Sequence, residues 1–309
     1  MTLKQSLGRM FGKLVTIVTV GLMGMGTGLC YDQPSVNLGF TSFLDGGPPA
    51  GPGLYLTQYV QSYHADTFAD FPAPDAEVDV WVGLTQMIYQ SDTPVVFGGK
   101  WGLDVIIPLV SLDSDPLPDN NVGLGDLLVG PYIQWDPVMG EQGPVFMHRV
   151  ELQVLIPTGK YDNDSALNPG SNVWSFNPYW AATWFVTPKL TASWRLHYLW
   201  NAENNDPFKG FGLEDAQAGE AVHANFALGY EVLPRQLRVG INGYAFKQIS
   251  HSEANGQSVP GLEQVVAIGP GLVWHLGPDH HLFINTYFES GAEHRTEGER
   301  FNLRYVHHF

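Results

Sequence analysis

Residues 97–107 read FGGKWGLDVII, and the order of side chains along them decides the fold. Phe97, Gly99, Trp101, Leu103, Val105 and Ile107 fall on one side of an extended chain. Gly98, Lys100, Gly102 and Asp104 fall on the other. A period of two marks a β-strand, whose successive side chains point to opposite faces. One face here suits hydrocarbon; the other carries charge and small residues. Residues 145–157 repeat the pattern, with Phe146, Val150, Leu152, Val154 and Ile156 opposing Arg149, Glu151 and Gln153.

Working outward, the same alternation predicts strands near 53–63, 77–89, 96–109, 123–135, 145–156 and 174–186. It continues near 189–201, 220–232, 236–248, 264–275, 281–290 and 300–309. In the second strand Val78-Val80-Val82 competes with Trp81-Met87-Tyr89 for the apolar face. Connections alternate in length. Residues 91–94, 187–188, 233–235 and 276–280 are short and 136–144 is somewhat longer; 64–76, 110–122, 157–173, 202–219 and 249–263 are long. Outer-membrane barrels have an even number of strands, short periplasmic turns and long outer loops. The expected fold is therefore all-β: a transmembrane antiparallel up-and-down β-barrel of about twelve strands over residues 53–309, placed in a bacterial outer membrane.

Bulk properties agree. The 309 residues are 44% hydrophobic but only 15% charged, which excludes a disordered chain. Mean hydropathy is −0.08, because lipid-facing and lumen-facing residues cancel in any average. No run of 18 apolar residues follows residue 30, so no membrane helix is expected. Residues 1–30 read as an export signal: Lys4, Arg9 and Lys13 precede the apolar stretch from Leu14 to Met23. The single Cys30 follows Leu29, where a lipid-attachment site wants a small residue, and one cysteine forms no disulfide within the chain. Without this segment, which holds no acid, the formal charge moves from −16 to −19. So acidic a chain is no partner for nucleic acid. The acids fall mainly in loops and read as a solvated face; cation bridging to lipopolysaccharide has no ligand spacing behind it. Residues 31–52, with Gly46-Gly47-Pro48, lack a period and read as a periplasmic tail or a short plug, the tail being preferred.

Aromatic placement supplies another check. Alternate strands end on the apolar face at Trp135, Trp184, Trp274 and Phe309, where amphipathic rings suit a lipid–water interface. Phe309 is also the last residue, closing the alternating run Phe301, Leu303, Tyr305, His307. A terminal aromatic of this kind resembles the signal read by the barrel assembly machinery, an expected partner alongside outer-membrane lipid.

Twelve strands tilted by about 40° enclose a backbone cylinder roughly 24 Å across. Inward positions carry Asp79, Lys100, Asp104, Asp126, Arg149, Glu151, Gln153, Arg195, His197, His223, Asn225, Arg238, Asn242, Asn285, Glu289 and Arg304. Buried charges persist only if paired or hydrated. Either these groups pair and close the lumen, or they form a mixed-charge constriction for small neutral or aromatic solutes. Asp104, Asp126, Arg149, Glu151, Arg195, Asn242, Glu289 and Arg304 are its candidate members.

Several segments resemble the meta-pathway of phenol degradation family of outer-membrane transporters. They are Gly123-Leu124-Gly125-Asp126, Gly130-Pro131, Leu155 to Tyr161, Gly170 to Trp174, Asn177-Pro178, Gly243-Tyr244 with Gln248, and Ile268-Gly269-Pro270. The resemblance implies passage of small hydrophobic or aromatic compounds and brings no catalytic residues. Pro131, Pro178 and Pro270 lie on apolar faces and lack an N–H, so each suggests a bulge or kink. Barrel curvature is the simpler use of such bends, and a lateral gate the sharper one. A barrel enzyme and an adhesive barrel are the rivals. His251-Ser252 point to opposite faces, whereas His64 and Asp66 share one and suit acid–base work. His280-His281 and His307-His308 lack metal spacing, and no cofactor motif is present.

Overall fold

A computed structural model describes residues 36–48, 50–69, 76–115 and 117–309. The expected signal segment, Cys30 included, lies outside the described residues. Twelve antiparallel strands form the barrel. The first three span Gly53–Phe68, Glu77–Val96 and Gly99–Asp115. The fourth, fifth and sixth each run in two pieces: Val122–Leu124 with Leu127–Gln134, Gly143–Glu151 with Val154–Ile156, and Ser175–Phe176 with Tyr179–Phe185. The remaining six span Leu190–Asn201, Ala221–Leu233, Leu237–Gln248, Gln264–His275, His280–Glu293 and Thr296–His308. The last strand pairs with the first from Tyr55↔His308 to Phe68↔Thr296, which closes the cylinder and leaves no sheet edge.

The alternation has a simple physical result. Along the seventh strand Thr191, Ser193, Arg195, His197, Leu199 and Asn201 point inward and are buried, while Leu196 and Trp200 are exposed outward. Polar groups inside and apolar groups outside invert the ordinary soluble pattern. In the second strand Trp81, Met87 and Tyr89 are exposed and Val78 is buried, which resolves the competition noted above.

Two expectations need correction. The hairpin between the second and third strands does not turn at 91–94; the second strand continues through bulges to Val96, and the turn is Phe97-Gly98. Both residues adopt positive φ (48° and 76°), the two-residue geometry whose twist matches paired strands. Phe97 is therefore a turn residue, 94% exposed, and not the first member of the apolar face. Strands one and three also extend further at the opposite end than the hydrophobic pattern suggests, because paired polar residues continue the ladder, as in His64↔Asp79.

The interruptions in strands five and six line up with each other and with Pro131 of the fourth strand. Pro131 has no N–H to donate, and beside it Leu152 N donates to Pro131 O (3.0 Å) across the break in the fifth strand. Next in line, Asn177 N donates to Gln153 O (2.8 Å), and Tyr198 N to Pro178 O (3.1 Å). At Pro270 the side chain of Asn242 replaces the missing ladder, donating to Gly269 O (3.2 Å) and Thr286 O (3.1 Å). Prolines on the outer face thus bend the wall while side chains and shifted backbone pairs keep it closed.

Turns at one end are short, and long loops cap the other. A small sheet of Ala216–Gln217, Ser252–Ala254 and Gln257–Val259 ties two of those loops together. Trp135, Trp184, Trp274 and Phe309 all lie at the short-turn end, and the Trp135 Nε1–H donates to Phe97 O (3.2 Å). If the outward face meets hydrocarbon, Ile268→Arg at mid-wall should lower stability by about 2–4 kcal/mol in lipid vesicles. Denaturant titration of the refolded barrel measures it; a loss under roughly 0.5 kcal/mol, ordinary for a wetted surface, would contradict that assignment.

Candidate functional site

The lumen is not empty. Residues 36–48 enter it from the short-turn end and bond to one strand after another. Gly46 N donates to Thr183 Oγ1 (2.9 Å), and Gln134 Nε2 donates to Gly46 O (3.1 Å). Leu44 N donates to Ser193 Oγ (3.0 Å), Gly39 N to Asn225 Oδ1 (2.8 Å), and the Tyr287 hydroxyl to Gly39 O (2.9 Å). Asn225 Nδ2 and Gln61 Nε2 donate to Asn37 O (2.9 Å) and Leu38 O (3.2 Å). A segment with no period of its own is thus ordered by the wall around it.

Its charge is latched. Asp45 receives two parallel bonds from Arg195, Nε and Nη2 each at 2.7 Å, with both side chains almost fully buried. Bidentate pairs of this kind are among the strongest polar contacts in proteins. The Arg195 guanidinium lies 4.1 Å from the Tyr179 ring centroid. Tyr179 accepts from Arg149 Nη2 (2.7 Å) and donates to Glu151. A Cβ on Gly130 would collide with the Glu151 carboxylate, so that glycine makes its room; Gly130 pairs with Asp104 across the ladder. Asp104 in turn accepts from Gln86 (2.7 Å), which accepts from the Tyr59 hydroxyl (2.7 Å). Asp104, Arg149, Glu151 and Arg195 therefore belong to one belt around the lumen.

The other candidates lie elsewhere. Glu289 heads a second cluster nearer the long loops, accepting from Tyr63 (2.9 Å), Tyr244 (2.6 Å) and Gly298 N (2.9 Å), with Arg300 at 3.5 Å. Arg304 stacks on Phe283 at 3.6 Å, between the two clusters. Asn242 mends the wall at Pro270. Asp126 is not free to face solute: its carboxylate accepts from Gly159 N (2.9 Å) and from Ser171 N (2.7 Å) and Oγ. A Cβ on Gly159 would come 2.7 Å from Gly170 Cα, so two glycines must meet for that clamp to close. Lys160 Nζ donates to Asn120 O (2.9 Å) and Val122 O (3.2 Å). The motifs around Gly123–Asp126, Pro157–Lys160 and Gly170-Ser171 are thus one loop anchor.

Sequence reasoning missed Asp45, Tyr63, Tyr179, Tyr244 and Arg300. The last four follow from strand phase, since each sits at an inward position; nothing local identifies Asp45. His64 pairs with Asp79 (2.9 Å) and not with Asp66, which bonds Thr67, so the expected acid–base couple does not form. At the outer loops, Tyr161 donates to Asp206 O (2.8 Å), and burial pushes its hydroxyl pKa up. Among the described residues no group of three or more His, Cys, Asp or Glu is placed to hold a metal ion.

The sequence profile of the family described as the MetA-pathway of phenol degradation matches residues 59–305. The chain belongs to that family. The segments of this chain that resemble the family form the loop anchor and the proline-bent wall just described. No curated protein sequence matches the chain. Among solved structures, it is similar to the COG4313 outer membrane channel from Pseudomonas putida F1. That match has TM-score 0.74 and 18% identity, covering 89% of this chain and 100% of that one. It establishes the outer-membrane barrel fold. The β domain of the Bordetella autotransporter BrkA gives TM-score 0.49 at 11% identity, over 84% and 100% of the two chains. A mutant of the TodX monoaromatic hydrocarbon channel gives 0.46 at 7%, over 93% and 98%. Likeness at that level carries no argument.

If the Asp45–Arg195 pair holds the plug, Asp45→Ala should raise single-channel conductance in a planar bilayer. It leaves a buried cation unpaired, at a cost of about 3–5 kcal/mol to the closed state. Exchanging the charges, Asp45→Arg with Arg195→Asp, should restore the low conductance; unchanged conductance in the single variant would show that the pair is no latch.

Proposed function

We propose that the protein is an outer-membrane channel for passive uptake of small hydrophobic or aromatic compounds. One observation carries the reading: inside a polar lumen, the plug buries apolar side chains in apolar niches of the wall. Leu38 packs among Tyr244, Phe246, Val265 and Tyr287. Phe43 packs among Tyr55, Ala227, Val273 and Phe283. Each contributes about 1.5–3 kcal/mol of burial, so the interior is shaped to hold apolar groups as well as charges. A water-filled sugar pore needs no such niches. The family's description supports the aromatic direction, and the Pseudomonas structure supports the barrel fold.

In this reading solute arrives at the long-loop end, the plug withdraws toward the periplasm, and apolar niches receive the solute in its place. The belt of Asp104, Arg149, Glu151 and Arg195 is the constriction, and the bends at Pro131, Pro178 and Pro270 are curvature first and a lateral exit second. Trp135, Trp184, Trp274 and Phe309 mark the inner lipid interface, with Phe309 also offered to the assembly machinery. An enzymatic role has less behind it, because Ser252 accepts from Gly219 N (3.1 Å) while its neighbour His251 binds Gly261 O (3.2 Å).

Liposomes carrying the protein with residues 36–48 deleted should admit phenol and small aromatic amines several-fold faster than protein-free liposomes, with raffinose excluded. The intact chain should be slower than the deletion. Equal rates for phenol with and without protein, from a barrel shown to be folded, would overturn the proposal.

A further inference from the structure

The niche around Phe43 has a construction that apolar packing alone does not explain. Three inward-facing glycines on neighbouring strands stand side by side in register: Gly229↔Gly240 and Gly240↔Gly271. The row continues as Gly271↔Asn285 and Asn285↔Asn302. Glycine inside a strand marks a place where something approaches the backbone closely. Here it is the ring: a Cβ on Gly229 would lie 2.8 Å from Phe43 Cδ1, and one on Gly271 2.9 Å from Phe43 Cε2. The same position at Gly271 would collide with Asn242 Oδ1 and Asn285 Oδ1. Ring edge and two amide oxygens thus converge on one point.

Those amides are incompletely used. Asn242 donates through Nδ2 to the wall, which fixes its Oδ1 toward the niche, and that oxygen has no partner among the described residues. Asn285 is 1% exposed, and neither polar atom of its amide has a partner among the described residues. Leaving buried polar groups unpaired forfeits their hydration with nothing in return. A phenyl ring cannot relieve that cost. A ring bearing a hydroxyl can, donating to one amide oxygen and accepting from the Asn285 amide hydrogen.

We infer that the Phe43 niche, floored by Gly229, Gly240 and Gly271 and edged by Asn242 and Asn285, is the binding subsite for a single aromatic ring carrying a hydrogen-bond donor, with Phe43 as its built-in stand-in. This rests on the aromatic-uptake reading and adds to it a preference for hydroxylated over plain rings.

Equilibrium binding tests it apart from transport. The protein is placed in nanodiscs and titrated with 4-fluorophenol or fluorobenzene, followed by fluorine NMR against empty nanodiscs. Phe43→Ala should bind 4-fluorophenol saturably and about tenfold more tightly than fluorobenzene, the value of one buried hydrogen bond. Adding Asn285→Leu should abolish that preference and leave fluorobenzene binding little changed. The 36–48 deletion empties the niche without a truncated plug and must give the same order, so poor refolding of Phe43→Ala does not leave the question open. No saturable binding to either folded variant, or equal affinity for the two probes, would overturn the subsite. Phenol uptake without this preference defeats the niche alone; the preference without uptake defeats the transport reading alone.

Discussion

Hydrocarbon offers no hydrogen-bond partner, so every backbone N–H and C=O in the wall must be satisfied within the wall. Closure between the first and last strands meets that demand wholesale. Its local exceptions show how strict it is. Where Pro131, Pro178 and Pro270 remove a donor, a neighbouring amide shifts its pairing or the Asn242 side chain enters the ladder. Such repairs have a lasting effect on the interior. Asn242 is held in one orientation by its repair, and its unused oxygen then faces the Phe43 niche.

The interior follows a second constraint. With apolar side chains facing outward, the core is polar, and buried charge is tolerated only in networks. Two such networks stand at different heights. The belt holding Arg149, Glu151 and Tyr179 grips the plug through Arg195 and Asp45, while the cluster on Glu289 joins Tyr63, Tyr244 and Arg300. Beside them lie the aromatic and glycine-lined surfaces that receive Leu38 and Phe43, the first sharing Tyr244 with the Glu289 cluster. Alternating polar collars and apolar niches suit a solute that is mostly ring and slightly polar.

Much of this was legible in advance. The period of two in Gly99 to Ile107 and its repeats established the number of strands and which side of each faces inward, because side-chain direction in a strand depends only on parity. Turn position was less legible: the bulges near Pro94 keep the pairing alive, and Phe97 in a left-handed turn has no compositional mark. Asp126 misled for a related reason. Its parity is inward, but it sits at a break where the chain meets the 157–173 loop, and backbone donors from that loop claim it. The plug was the least legible. Gly39, Asp45 and Gly46 owe their conformation to partners more than a hundred residues away, which no local pattern can carry.

Phe43 is joined to the first strand by only a short run through Pro48 and Pro52. A side chain on so short a tether returns to its niche as an intramolecular event, at an effective concentration on the order of millimolar. Any solute must compete against that standing occupant, so occupancy rises only when the outside supply is plentiful. In the uptake proposed above, a tethered competitor would also sweep bound molecules out again, favouring throughput over retention.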